Sequence, residues 1–310
     1  MNTLRLKNSI FKILIETFIF DKTKRSKIKS RWAKNHLQKY VDIAMMKDLT
    51  PENISSTSEH IFWQYWHQGR ANAPELIKKC LDSVEKFHPD QKRIVLSYKD
   101  VADYVEIPSR YYDLVNSGKM SITFFSDVLR AYLLTQYNGG TWIDSTIYLT
   151  DKIPDSILNS EFFVFQKNPI TDRFEDKMSS FFMHAKGFCT LIQVMKEVFN
   201  EYWEENDFLI NYFLIEHLVT MLSSLTVEFQ NLWDKMPYFS ADDTGILQAK
   251  LFDDFNLEEF KNIKNKTSVH KLSYKILNRK SSGHSYYDFL MDMYINNALN
   301  SEEFKNKGNF

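Results

Sequence analysis

This 310-residue chain has little of what staples, punctuates or charges a protein. Its two cysteines, Cys80 and Cys189, lie far apart. That is too few and too wide for the disulfide framework of a secreted domain, so both are expected to be reduced, buried thiols in a cytoplasmic protein. With Gly 8 and Pro 7, collagen-like and linker-dominated chains are excluded. A formal net charge of -1 excludes a nucleic-acid binder that works by bulk charge. Long hydrophobic runs are missing too. Residues 9–20, SIFKILIETFIF, are interrupted by Lys12 and Glu16, and no small-residue cleavage site follows. They read neither as a secretory signal nor as a membrane span, which needs about 20 apolar residues. No GxxxxGK(S/T) phosphate loop, HExxH, GxSxG or strand-borne GxGxxG is present. What the chain does have is apolar bulk: 44% hydrophobic and 15% aromatic residues, ample for one large domain or two small ones.

The charge is unevenly placed. Residues 1–50 carry Arg5, Lys7, Lys12, Lys22, Lys24, Arg25, Lys27, Lys29, Arg31, Lys34, Lys39 and Lys47 against Glu16, Asp21, Asp42 and Asp48. An apolar helix-former followed by a dense basic run suits an interfacial anchor on anionic lipid, each cation near the surface adding about 1 kcal/mol. The same pattern fits a basic helix, or helix pair, packed on the main domain.

From residue 61 the pattern alternates. IFWQYW (61–66) and RIVLSY (93–98) read as buried strands, and PELIKKCLDSVEKF (74–87) between them reads as a helix with Pro at its first turn. Lys99 to Gly118 reads as short helices broken at Pro108. Ser121 can cap a helix over 122–137 that Asn138-Gly139-Gly140 would end. TWIDSTIYLT (141–150), EFFVF (161–165) and SFFMHA (180–185) read as strands, 187–206 and 207–223 as a helical pair, and Tyr286–Leu299 as a helix. This order predicts an α/β fold, a mostly parallel sheet with helices on both faces. Ligands bind such sheets beyond the carboxyl ends of strands, so the turns after 61–66, 93–98 and 141–144 are where chemistry is expected.

Helix 122–137 is apolar nearly all round, yet holds Asp127 and Arg130 on one face. Buried charges must be paired or put to use. The couple reads either as an internal ion pair or as a carboxylate and guanidinium gripping a polar ligand. Asp144, past the glycine turn at the end of a strand, can reach a ribose hydroxyl or a divalent cation; alone it reads equally as a turn-capping Asp.

Together, SDVLRAYLLTQYNGGTWIDSTIYLT (126–150) resembles the bacterial capsular polysaccharide synthesis proteins and, more remotely, the DXD-containing sugar transferases of glycosyltransferase family 32 and the clostridial glucosylating toxins. FWQYWHQGRANAPELIKKCLDSV (62–84), DYVEIPSRYYDLVNSGKMS (103–121), EYWEENDFLINYFLIEH (201–217) and SVHKLSYK (268–275) fit the same family in order. The resemblance implies a Rossmann-like nucleotide-sugar-binding sheet of the GT-A type over residues 56–310, preceded by a basic amphipathic helical segment, 1–55. It implies a glycosyltransferase moving a hexose, with retention, from a nucleotide-sugar donor, UDP-linked, to a capsular polysaccharide or lipid-linked oligosaccharide acceptor at the cytoplasmic face of the membrane. Trp66 matches the aromatic that stacks on the base, with Gln68 and Gly69 as its polar turn. Tyr98, Gly140 and Trp142 are counted as further nucleotide-sugar contacts. Asp127 and Arg130 match the couple that holds the donor sugar, and Asp144 matches the first acid of the DXD motif. Thr146 replaces the third-position acid, which weakens the expected Mn²⁺ or Mg²⁺ site. His270 is expected to complete that metal site with Asp144 and Thr146, while Lys271 and Lys275 meet the diphosphate. The incomplete motif also admits a catalytically inactive nucleotide-sugar-binding subunit of an assembly complex, and the basic N-terminus alone admits a membrane-bound structural protein.

Overall fold

The computed structural model of the chain describes residues 3–50, 59–276 and 283–292. In chain order the elements that position the site are α1 (Thr3–Phe18), α2 (Lys22–Met45), β1 (Phe62–Tyr65), α3 (Glu75–Phe87), β2 (Arg93–Leu96), α4 (Val101–Tyr104), α5 (Ser109–Asn116) and α6 (Ile122–Gln136). They continue with β3 (Gly140–Ile143), β4 (Ile147–Leu149), α7 (Asp155–Leu158), β5 (Phe162–Gln166), β6 (Met178–Ala185), α8 (Thr190–Glu205), α9 (Leu214–Leu222) and β7 (Val269–Lys271).

The main sheet has the order β2-β1-β3-β6-β5. β1 is parallel to both β2 and β3, and β6 is antiparallel to both β3 and β5. All its strands except β6 therefore run one way, as the alternating sequence predicts. The chain steps from β1 outward to β2 through α3, then back past β1 to β3 through α4–α6. Right-handed crossovers in opposite directions place α3 and α6 on opposite faces. The reversal opens a crevice between the carboxyl ends of β1 and β3. A second sheet pairs β4 with β7 antiparallel beside this crevice.

Local chemistry explains the crossover helix that feeds β3. The Ser121 hydroxyl accepts from the Phe124 N–H at 3.1 Å, and α6 buries Phe124, Phe125, Val128, Leu129, Leu133 and Leu134. Asn138 at φ 53 and Gly139 at φ 104 then turn the chain into β3. Gly139 is required there, because a Cβ would lie 2.5 Å from the Ala185 carbonyl oxygen.

Differences from the expected elements are few. TWIDSTIYLT is two strands rather than one, because Asp144 to Ile147 closes a turn with the Ile147 N–H donating to the Asp144 carbonyl at 2.9 Å. Residues 207–213 are not helical: the buried Tyr202 hydroxyl donates to Phe208 O and accepts from Ile210 N, which holds them as a loop before α9. Tyr286–Asp292 is helical, and residues 293–299 of the expected helix lie outside the described residues. Cys80 and Cys189 are free and buried, as expected.

The N-terminal helices separate in role. α2 packs on α8 and α9, burying Ala33, Leu37, Tyr40, Val41 and Ala44. Several of its cations are claimed by this chain: Lys34 meets Asp176 at 2.9 Å, Arg31 meets Glu175 at 2.8 Å and Lys39 meets Glu205 at 2.5 Å, and just past the helix Lys47 meets Glu197 at 2.8 Å. For α2 the packed-helix alternative is the one seen. No described helix is long and apolar enough to cross a membrane.

Candidate active site

The crevice at the carboxyl ends of β1 and β3 is a cleft of about 450 Å³. Trp66, His67 and Gln68 enter it from the end of β1, Asp144 and Thr146 from the end of β3, and Lys271 and Lys275 from β7 and the segment after it. Three stretches remote in sequence thus converge because two strands end side by side and β7 is paired to β4, with Ile147 opposite Lys271 and the Leu272 N–H donating to Thr146 O at 2.9 Å.

Asp144 is the hub. Its Oδ1 accepts from Trp142 Nε1 at 2.8 Å and from Arg130 at 3.4 Å; its Oδ2 accepts from Lys271 Nζ at 2.7 Å. Lys271 Nζ also donates to Thr146 Oγ1 at 2.6 Å. Burial would raise the Asp144 pKa. Lys271 and Arg130, with hydrogen bonds from Lys271 and Trp142, more than offset burial and hold the carboxyl below its ordinary range. Asp144 is therefore an anion at neutral pH, and its side chain is still 24% exposed.

Beneath it sits the buried couple. Arg130 meets Asp127 at 2.8 Å, donates to the carbonyls of Ser180 and Ser126, and lies 4.9 Å over the Trp142 ring. Its side chain is only 3% exposed. The expected pairing is present, but the guanidinium does not line the cleft, and each of its three nitrogens is bonded to protein. Asp127 is likewise buried. Burial, opposed by Arg130 and reinforced by Asp144 and Glu216, pushes its carboxyl up to about 7. The two thus form a floor under Asp144.

The remaining expected contacts divide. Trp66 lines the cleft with its ring edge-on to Tyr274 at 5.3 Å, and its buried indole N–H has no protein partner. Gly69, at φ 80, closes the turn by donating to Trp66 O at 2.8 Å. Tyr98 stands behind His67, with ring centroids 4.7 Å apart, and its hydroxyl bonds Asn116. Gly140 begins β3, at the end away from the cleft by roughly 10 Å of strand. Its work is to let β3 approach Ile61 and Trp63. Neither Tyr98 nor Gly140 lines the cleft.

His270 does not line the cleft either. Neighbours on a strand point to opposite sides, so with Lys271 in the cleft His270 faces away. It is fully buried, its Nε2 bonds Thr150 Oγ1 at 2.9 Å, and burial pushes its pKa down to about 3. A divalent cation at Asp144 would thus find both carboxylate oxygens engaged, the Thr146 hydroxyl facing an ammonium, and no imidazole. Among the described residues no three His, Cys, Asp or Glu side chains are grouped to hold a metal. The residues present do not fit the expected metal site.

Sequence reasoning missed Tyr212, Gln248 and Tyr274, which also line the cleft. Tyr212 and Tyr274 lie inside the stretches 201–217 and 268–275 that carried the resemblance; Gln248 lies in none.

The sheet is of the α/β class with its strand order reversing at the crevice, and an ionised acid, two lysines and an aromatic meet there. The sequence profile of the family described as "Capsular polysaccharide synthesis protein" matches residues 15–290. This chain belongs to that family. A search of the curated proteins finds no match. Among solved structures, it is similar to the galactosyltransferase LgtC, described as in complex with donor and acceptor sugar analogs. The TM-score is 0.39 at 10% identity, covering 75% of this chain and 95% of that chain.

Proposed function

We propose that this protein is a glycosyltransferase that moves a hexose from a nucleotide-sugar, UDP-linked, onto a capsular polysaccharide or lipid-linked oligosaccharide intermediate, with retention at the anomeric carbon. The observation that carries the reading is the Asp144 carboxylate, kept ionised at the switch point and facing a cleft that holds Trp66 on one strand end and two lysines on the other side.

In this reading the base stacks on Trp66, which contributes about 1–3 kcal/mol. Lys271 and Lys275 face the diphosphate. The bond from the anomeric carbon to the β-phosphate oxygen breaks with its electron pair going to the diphosphate. The acceptor hydroxyl oxygen bonds the same carbon, and its proton leaves to the released diphosphate or to solvent. Fixed cations stabilise the charge that grows on the leaving group, and the Asp144 anion stabilises the positive character on the sugar. Arg130 and Asp127 position Asp144 from below.

The division near residue 55 into a helical N-terminal segment and a transferase domain belongs to this proposal, as does contact with an anionic membrane surface. For that contact the structure supports a narrower element than residues 1–50. Helix α1 shows Ile10, Ile13, Leu14 and Phe18 to solvent, followed by Phe20. Lys22, Lys24 and Arg25 come next and form no ion pair among the described residues. An apolar face bordered by free cations complements anionic headgroups.

Turnover of a panel of nucleotide-sugars with a lipid-linked acceptor tests the enzyme reading. Sugar transfer or donor hydrolysis above the rate without protein is expected. Saturable binding with no turnover of any donor would instead establish the inactive binding subunit.

A further inference from the structure

We infer that the resident cation of this cleft is Lys271, and that the site handles a nucleoside diphosphate without a divalent metal. The inference rests on the nucleotide-sugar reading above and adds what neutralises the leaving group.

Three observations converge. First, the ammonium bridges the first and third positions of the turn, 2.7 Å from Asp144 Oδ2 and 2.6 Å from Thr146 Oγ1. It is held there by backbone register: Lys271 is opposite Ile147 in the β4–β7 ladder, and its Nζ lies 5.5 Å over the Phe181 ring. Second, the donor set suits an ammonium. A hard divalent cation at a phosphate site asks for one or two carboxylates free to coordinate it, beside water and phosphate oxygens. Here the second carboxylate, Asp127, is buried against Arg130, Asp144 Oδ1 is bonded by Trp142 and Arg130, and His270 is turned away to Thr150. A hydroxyl at position 146 accepts well from an ammonium and, being neutral, competes less for a metal. Third, the acids already have cations of their own: Arg130 meets Asp127 and Asp144, and Lys271 meets Asp144. Adding two positive charges to this partly buried group would be costly, whereas an incoming diphosphate finds a cation with a donor to spare. An ammonium has three N–H groups, of which Asp144 and Thr146 take two. Lys275, lining the same cleft, supplies further positive charge. When the glycosidic bond to the diphosphate breaks, the electron pair stays on the β-phosphate oxygen. Lys271 keeps its proton and offsets the added charge.

The test is calorimetric titration of UDP and of GDP into the full chain, once in EDTA and once in excess Mn²⁺, for the wild type, Lys271→Met and Lys271→Arg. At least one nucleotide is expected to bind the wild type with Kd values within about twofold in the two media. Lys271→Met is expected to weaken it about ten- to a hundredfold in both, as for loss of a charged hydrogen bond. Lys271→Arg is expected to recover most of the loss. Binding that appears only with Mn²⁺ would overturn the inference and leave the nucleotide-sugar reading standing. Undiminished binding by a folded Lys271→Met would overturn it as well. Failure of both nucleotides to bind in either medium would overturn that reading itself, and this inference with it.

Discussion

Replacing Arg130 with Met probes the floor of the cleft without touching its walls. Methionine fills a similar volume, so the change is chiefly electrostatic. The guanidinium that leaves was bonded to Asp127 at 2.8 Å, Asp144 at 3.4 Å and two backbone carbonyls, and lay 4.9 Å over the Trp142 ring. Removing one partner of a buried pair costs about 3–5 kcal/mol, because the other charge stays buried. The lost contact with the indole adds up to about 2 kcal/mol. Protonation of Asp127 relieves part of this. In the wild type its pKa is already pushed up to about 7, and without Arg130 it must rise further. A carboxyl with a raised folded-state pKa binds more protons folded than unfolded, so its contribution to stability falls as pH rises through that pKa. The variant therefore goes on losing stability above pH 7, where the wild type has levelled. Urea unfolding at pH 6 and pH 8 is expected to show a deficit of about 3 kcal/mol at the lower pH and a larger one at the higher. A deficit under about 1 kcal/mol, or one that shrinks as pH rises, would refute the placement of Asp127 and Arg130 as a buried couple.

Two further outcomes follow. Trp66→Ala should weaken nucleotide binding by about 1–3 kcal/mol, read by calorimetry, with little change in melting temperature because the ring is only partly buried; unchanged affinity would remove the stacking role. Ile13→Glu with Phe18→Glu should abolish co-sedimentation with phosphatidylglycerol vesicles while leaving thermal stability intact, since both side chains are mostly exposed; unchanged pelleting would refute α1 as the lipid-facing element.

Much of this was legible in the chain itself. The capped helix 122–136 and the glycine turn into β3 announce themselves, because the signals are local: Ser121, an apolar run, then Asn138-Gly139-Gly140. That Asp144 lies just past a strand, at the end where such sheets bind ligands, also follows from the alternation of strands and helices. What stayed hidden is long-range. Local pattern could not choose between His270 and Lys271 as the residue facing the cleft, since the β4–β7 register decides it and a one-residue slip exchanges them. Nor could composition show that Arg31, Lys34, Lys39 and Lys47 are spoken for. Their partners Glu175, Asp176, Glu205 and Glu197 lie beyond the reach of any helical or strand periodicity. Arg130 looked like a ligand because a buried charge demands a use; Ser180 and Ser126, with their carbonyls, and the Trp142 ring supply that use from within the protein.

The claim beneath all of this is that the Asp144 end of β3 receives an activated sugar. Its most direct measurement is the melting temperature of the wild type and of Asp144→Asn across a panel of nucleotide-sugars, where a ligand at a hundred times its Kd adds about 2.7 kcal/mol to the folded state. The account predicts that at least one nucleotide-sugar stabilises the wild type and that the folded Asp144→Asn variant does not respond to it. A wild type indifferent to every nucleotide-sugar, or a variant that responds as strongly as the wild type, would contradict it.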